Sequence, residues 1–383
     1  MTVTSARGFR AAGVTCGLKP SGLPDLALVV NDGPLSAAAG VFTSNRVKAA
    51  PVLWSQRVLA AGALDAVVLN SGGANACTGP DGFADTHRTA EAVAGGLGTG
   101  AARVAVCSTG LIGVRLPMAE VLSGVGDAVA ALSATGGPHA AEAIRTTDTV
   151  AKTAFAQGQG FVVGGMAKGA AMLAPALATM LAVVTTDAVA DSATLDRVLR
   201  TATRASFDRV DTDGCMSTND TVLLLASGAS GVSPSEADLA AAVTAVCADL
   251  ARQMVADAEG ASKDIAVEVV GAASEDDALE VARAVGRSNL LKCALHGEDP
   301  NWGRVLAAVG TTSAVFEPDA LDVSINGLQV CRAGAPGEDP AGVDLSGREV
   351  HLLVDLRSGG AAATLWTSDL TAQYVHENSA YST

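Results

Sequence analysis

At 383 residues, with 49% hydrophobic and 17% charged, the chain holds enough apolar material for one large folded domain and a smaller one. Lys plus Arg total 25 against 40 Asp plus Glu, and the formal net charge of -15 argues against nucleic acids and anionic membranes as partners. The N-terminus has no apolar run suited to a signal peptide. The longest nearly apolar stretch, Gly169 to Val184, is 16 residues with Pro175 inside it, short of the roughly 20 that span a bilayer. These features predict a cytoplasmic protein that meets small molecules or other proteins.

In chain order, Ala66 to Leu69 reads as a strand running into the loop Asn70 to Gly79. Arg103 to Cys107 reads as a second strand, ending at Ser108-Thr109-Gly110. Both are buried runs that stop at a glycine-containing loop, where backbone N–H groups become available for chemistry. After the central apolar stretch, Asp191 to Arg204 reads as a helix and Thr221 to Leu225 as a buried strand. Ser233-Pro234-Ser235-Glu236 reads as a capping box with proline at the first helical position. The helix it opens places Leu239, Val243, Val246, Leu250 and Met254 at spacings of three and four, and Gly260 is its expected stop, with Glu259 at its end.

From Ile265 the pattern changes. Ile265, Val267 and Val269 alternate as in a half-buried strand, a helix follows from a cap at Ser274, and hairpins are expected at Asn326-Gly327 and Ser358-Gly359-Gly360. The organisation predicted is therefore a large α/β domain over 1–264 and a smaller α+β domain over 265–383. The seven cysteines never form a C-x-x-C pair and read as reduced, mostly buried small hydrophobes. The five histidines show no zinc spacing. Asp211, Asp213 and Asp220 lack the spacing of a calcium loop and read as scaffold or subunit contacts.

Within Leu173 to Ala188, the first twelve residues are apolar except for Thr179, between Ala178 and Met180. By pattern alone a strand threonine bonding a backbone carbonyl is the plainer account. The alternative is chemical. A threonine hydroxyl that attacks the preceding carbonyl forms an ester, and hydrolysis of that ester cuts the chain. The freed α-amine, with an ordinary pKa of about 7.7–8.0, can then serve the hydroxyl as general base.

The wording around Thr179, GGMAKGAAMLAPALATMLAVVTTDA, closely resembles the self-cleavage segment of the ornithine acetyltransferase (glutamate N-acetyltransferase) family. The resemblance extends over AAGVFTSNRVKAAPV, LNSGGANACTG, CSTGLIG, RTTDTVAK, FDRVDTDGCMSTNDT, DAEGASK, HGEDPNWGRVLAAVG and the terminal ENSAYST, almost end to end. It implies a layered sandwich of β-sheets between helices, and a cut between Ala178 and Thr179 giving chains of 178 and 205 residues that assemble as α2β2 or larger. It implies Thr179 as nucleophile, Thr109 and Gly110 as oxyanion hole, and substrate contacts at Thr146, Lys168, Thr179, Glu259, Asn378 and Thr383. Thr147 adjoins Thr146, which leaves the register there open by one.

The implied reaction moves an acetyl group from N-acetylornithine to glutamate through an acetyl-threonine, in the cyclic route to arginine, with no metal or organic cofactor. Lys168 suits the substrate carboxylate and Glu259 its ammonium. The resemblance leaves open whether acetyl-CoA is a second donor. The nearest alternative is an N-terminal nucleophile aminopeptidase or amidase with the same self-cleaving logic, and a non-enzymatic assembly protein with Thr179 as core is the alternative from another class.

Overall fold

The computed structural model describes residues 1–173 and 180–380; Ala178, Thr179 and Thr383 lie outside the described residues. The chain divides into two compact units, one of residues 1–208 with 215–257 and one of residues 209–214 with those from 258 onward.

The first unit contains strands β1 (Phe9–Val14), β2 (Leu26–Asn31), β3 (Ala37–Phe42), β4 (Ala66–Ser71), β5 (Val104–Thr109), β6 (Lys152–Gln157), β7 (Val162–Lys168), β8 (Leu181–Thr186) and β9 (Thr221–Ala226). Its helices are α1 (Ala50–Leu59), α2 (Gly79–Leu97), α3 (Met118–Ala130), α4 (Gly137–Ala143), α5 (Ser192–Ala205) and α6 (Glu236–Ala256). One sheet has the order β1-β2-β4-β5, the other β3-β9-β8-β7-β6. Only the β4–β5 and β8–β9 pairs are parallel. β2, β4, β5, β8 and β9 are buried at every position. That explains why they read as unbroken apolar runs instead of alternating ones.

Side chains of both sheets, including Leu28, Val67 and Leu69 from the first and Leu181, Val183 and Leu223 from the second, share one core. α5 and α6 pack on each other and on the second sheet; α2 and α3 pack on each other and on the first. The result is the expected sandwich of sheets between helices. α6 is long and apolar enough to cross a membrane. Here its Leu239, Val243, Val246, Leu250 and Met254 are all buried, and it lies against β6 and β7 as a core helix.

The cap of α6 differs from the expected one. Ser235, not Ser233, is the N-cap, accepting from the Asp238 N–H (3.1 Å) while its hydroxyl donates to Asp238 Oδ2 (2.7 Å), so Pro234 lies outside the helix. The far end is also earlier. The helix stops at Ala256, and Glu259 lies in the following turn. Gly260 sits at φ +61° in that turn because a Cβ there would come within 2.3 Å of the Tyr374 nitrogen.

The second unit contains β10 (Asp264–Ala272), β11 (Asp322–Ile325), β12 (Leu328–Arg332), β13 (Ala335–Pro336), β14 (Glu349–Asp355) and β15 (Ala361–Ser368), with helices α7 (Glu275–Gly286), α8 (Asn289–His296), α9 (Trp302–Val309) and α10 (Ala372–Ala380). Its sheet order is β13-β12-β11-β14-β10-β15. Ser274 caps α7 and the Asn326-Gly327 turn joins an antiparallel pair, both as expected. The Ser358–Gly360 turn is not a hairpin. β10 lies between β14 and β15, parallel to one and antiparallel to the other. The turn passes over the end of β10, with the Ser358 N–H donating to Gly271 O (2.6 Å) and Gly359 so close that a Cβ would sit 2.3 Å from Ala272 O.

The cysteines are all free, but only Cys107, Cys247 and Cys331 are buried. Cys77, Cys215 and Cys293 are exposed, so "mostly buried" does not hold; Cys77 occupies a turn at φ +56°, where no core packing is available to it.

Replacing Ser235 by Ala removes the cap of α6. The expected loss is about 1 kcal/mol, read as a lower denaturant midpoint with an unchanged slope.

Candidate active site

β4 and β5 run in parallel, with Ser71 opposite Thr109, so their C-terminal loops emerge side by side. The N–H groups of Gly72 and Gly73 both donate to Thr109 O, at 2.9 and 3.0 Å. Gly110 has φ +128°, and a Cβ there would stand 2.6 Å from the Gly73 nitrogen, so only glycine fits where the loops touch. The Gly72-Gly73 pair thus holds the Thr109-Gly110 turn.

Lys168 ends β7. It is 2% exposed, so it does not reach out to solvent, and its ammonium stands 3.4 Å from the Thr109 hydroxyl. The structure therefore brings Lys168 and Thr109 together. A hydroxyl polarised by a buried ammonium, beside a loop amide, is the donor arrangement that stabilises a developing oxyanion. The ammonium also provides a desolvated partner for a carboxylate.

Asp148 connects this pair to the Thr146 loop. Its Oδ1 accepts from Lys152 Nζ and from the Gly169 N–H, both at 2.7 Å, and its Oδ2 accepts from the Thr146 N–H at 3.0 Å. Burial pushes this carboxyl up, but Lys168 and Lys152, with the hydrogen bonds, outweigh it and hold the pKa at about 2. Lys152 is fully buried and also pairs with Asp257 at 2.5 Å, while Asp257 bonds the Thr149 amide and hydroxyl. Thr146 and Thr147 are both half-buried on this loop, and Thr146 is the one whose amide is fixed by Asp148.

A second loop fastens the same region. Asn219 donates to Ala74 O (2.7 Å) and to Ser108 O (2.8 Å), anchoring the residue before Thr109. The next residue, Asp220, is fully buried and accepts the Met180 N–H at 3.0 Å. Met180 leads into β8, and its carbonyl accepts from the Thr221 N–H at 3.2 Å. Asp148, Lys152, Asn219 and Asp220 were not singled out for the site by the sequence, where each appears as one polar residue in a mixed run. The only signal for the last two was their motif, read there as scaffold.

In the second unit, Asn378 on α10 donates to Glu259 Oε2 at 2.9 Å, so these two expected contacts are neighbours. Ser262, His296 and Asp369 also cluster in that unit, but His296 uses the same Nδ1 toward both partners, at 3.1 and 3.0 Å, which is not a proton relay through the ring. Ala178, Thr179 and Thr383 lie outside the described residues.

The ArgJ family profile matches residues 10–383. This chain belongs to the ArgJ family. Family relatives named arginine biosynthesis bifunctional protein ArgJ include those of Streptomyces coelicolor, 67% identical over the whole of both chains, and Mycobacterium tuberculosis, 58% identical over 99% of this chain and 96% of that one. A solved family structure, ornithine acetyltransferase from Mycobacterium tuberculosis complexed with ornithine, is 57% identical over 47% of this chain and 96% of that chain, with a TM-score of 0.43. As an ArgJ family member matched over its whole length, the chain is an acetyltransferase of arginine biosynthesis.

Asp148→Asn removes the buried carboxylate that pairs with Lys152 and acts on Lys168, leaving Lys152 with Asp257, and should cost about 3–5 kcal/mol in chemical denaturation. Because the folded pKa lies below the ordinary value of about 4, the unfolded chain binds the proton more tightly in that window. The wild type should lose this increment of stability as pH falls from about 4 through about 2, and the Asn variant should lack the increment.

Proposed function

We propose that the chain cuts itself between Ala178 and Thr179 and then uses the Thr179 hydroxyl to carry an acetyl group from N-acetylornithine to glutamate. The observation that supports this most directly is the buried convergence of Lys168 and Thr109, beside Gly110, in the unit where Met180, the residue after the nucleophile, is held by Asp220. The new α-amine takes the hydroxyl proton as Thr179 attacks the acetyl carbonyl. Thr109 and the Gly110 amide stabilise the oxyanion, at roughly 3 kcal/mol per donor. Ornithine leaves, glutamate attacks the acetyl-threonine in turn, and N-acetylglutamate is released.

In this reading Lys168 takes the amino-acid carboxylate and the Thr146 loop lines the same pocket. Glu259, with Asn378 beside it, supplies the acid for an amino-acid ammonium, and Thr383 contributes at the end of the chain. The ornithine complex described for the Mycobacterium tuberculosis relative supports ornithine as the leaving product. The cut chains assemble as α2β2 or larger in the cytoplasm. Acetyl-CoA as a second donor is tested by incubating it with glutamate alone.

Thr179→Ala should remain a single chain of 383 residues by mass spectrometry and transfer no acetyl, whereas Thr179→Ser should still be cut, because the chemistry needs only a hydroxyl. Processing of the alanine variant would remove Thr179 as nucleophile. Free acetate released in place of N-acetylglutamate would mark an amidase.

Lys168→Met should raise the KM for glutamate about 10–150-fold, the equivalent of one charge-assisted hydrogen bond, with a smaller effect on folding. An unchanged glutamate dependence would take Lys168 out of the pocket.

A further inference from the structure

Asn219 stands in the motif FDRVDTDGCMSTNDT, to which the acetyl-transfer steps give no part. It is 4% exposed, and both polar atoms of its side chain are engaged. Nδ2 donates to Ala74 O at 2.7 Å and to Ser108 O at 2.8 Å, while Oδ1 accepts from the Thr218 hydroxyl at 2.6 Å. A side-chain amide has two N–H donors, and here both are spent on main-chain carbonyls. Asn219 therefore acts through the backbone it holds.

A trans peptide is planar, with its C=O and N–H on opposite sides, so fixing the carbonyl also fixes the direction of the amide. Two such planes flank the Thr109 α-carbon. Asn219 holds the first through Ser108 O, and the N–H groups of Gly72 and Gly73 hold the second through Thr109 O. Because Thr109 O faces Gly72 and Gly73, the Gly110 N–H in the same plane points away from them, and it donates to no group among the described residues.

With both planes held, the direction of the Thr109 Cβ is set as well, and its branched side chain has few rotamers to choose from. Its hydroxyl stands 3.4 Å from the Lys168 ammonium. Asn70 braces the same junction, donating to Gly73 O at 3.0 Å and accepting the Ser108 hydroxyl at 2.5 Å. The loop after β4 and the end of β5 are thus tied to each other by Asn70, and Asn219 ties both to the segment that leads into β9.

We propose that Asn219 is a positioning residue for acetyl transfer: it fixes the peptide before Thr109, so that the Thr109 hydroxyl and the Gly110 N–H are set as donors before substrate arrives. The inference rests on the reading of that pair as the oxyanion donors. Donors fixed in advance meet the charge that develops on the carbonyl oxygen without first reorganising, which favours the transition state over the bound substrate. Loss of Asn219 should therefore lower kcat and leave KM in place.

The test measures steady-state transfer from N-acetylornithine to glutamate, with kcat counted per chain found cut by mass spectrometry. Asn219→Ala should lower kcat about 100-fold, the loss of one oxyanion donor, at an unchanged KM for N-acetylornithine. Asn219→Ser, whose hydroxyl can keep only one of the two bonds, should lose less and carries the same comparisons if the alanine chain does not fold. Made in a Thr109→Ala background, either substitution should cost about 10-fold or less, because the hydroxyl it positions is already gone; a merely structural residue would cost the same in both backgrounds. A wild-type kcat, a raised KM at constant kcat, or equal losses in the two backgrounds would overturn the proposal. Thr109→Ala working at the wild-type rate would instead refute the donor assignment on which the proposal rests.

Discussion

The first unit depends on a carboxylate buried among lysines. Asp148 alone links the Thr146 loop, β6 through Lys152, and the end of β7 through the Gly169 amide. Two ammonium groups inside a protein are costly to desolvate; the buried Asp148 acts on both, and Asp257 gives Lys152 a second carboxylate. In the proposed reaction a small zwitterion's carboxylate gains from that arrangement, because a desolvated ammonium attracts it far more strongly than an exposed one does.

The loop before β9 makes a complementary contribution. Asn219 and Asp220 are adjacent, yet one holds the carbonyl preceding Thr109 and the other holds the amide following Thr179. Adjacent residues cannot drift apart, so the Thr109-Gly110 loop and the leading end of β8 are kept in a common frame. The glycines serve the same end. Gly110 lets its backbone meet that of Gly72-Gly73 at a distance that no side chain permits. Precision around the proposed site is thus provided by main chain and short polar side chains, with the apolar sheets behind them supplying rigidity.

Much of the fold was legible from pattern. Fully buried strands appeared as continuous apolar runs, α5 began within one residue of the expected Asp191, and α7 began at the expected Ser274 cap. Where the reading failed, a tertiary partner had overridden a local signal. Ser233 and Ser235 each have an acid three residues on, Glu236 and Asp238, and it is Ser235 with Asp238 that forms the cap. The Ser358–Gly360 turn reverses the chain as its residues suggest, but β10 had already taken the place between the two strands. Three cysteines judged core-like sit in exposed positions instead.

The amino-acid sequence by itself determined the family, the reaction it implies and the residue types at each expected position, because long motifs carry covalent chemistry that does not depend on knowing where they meet. Tertiary structure decided which polar groups are buried together and therefore what charge each one bears. Asp148 and Asp220 are the same amino acid with the same ordinary pKa. One is held at about 2 by two lysines, and the other is raised by burial. No spacing along the chain distinguishes them, since the difference arises from neighbours that folding brings in from other strands.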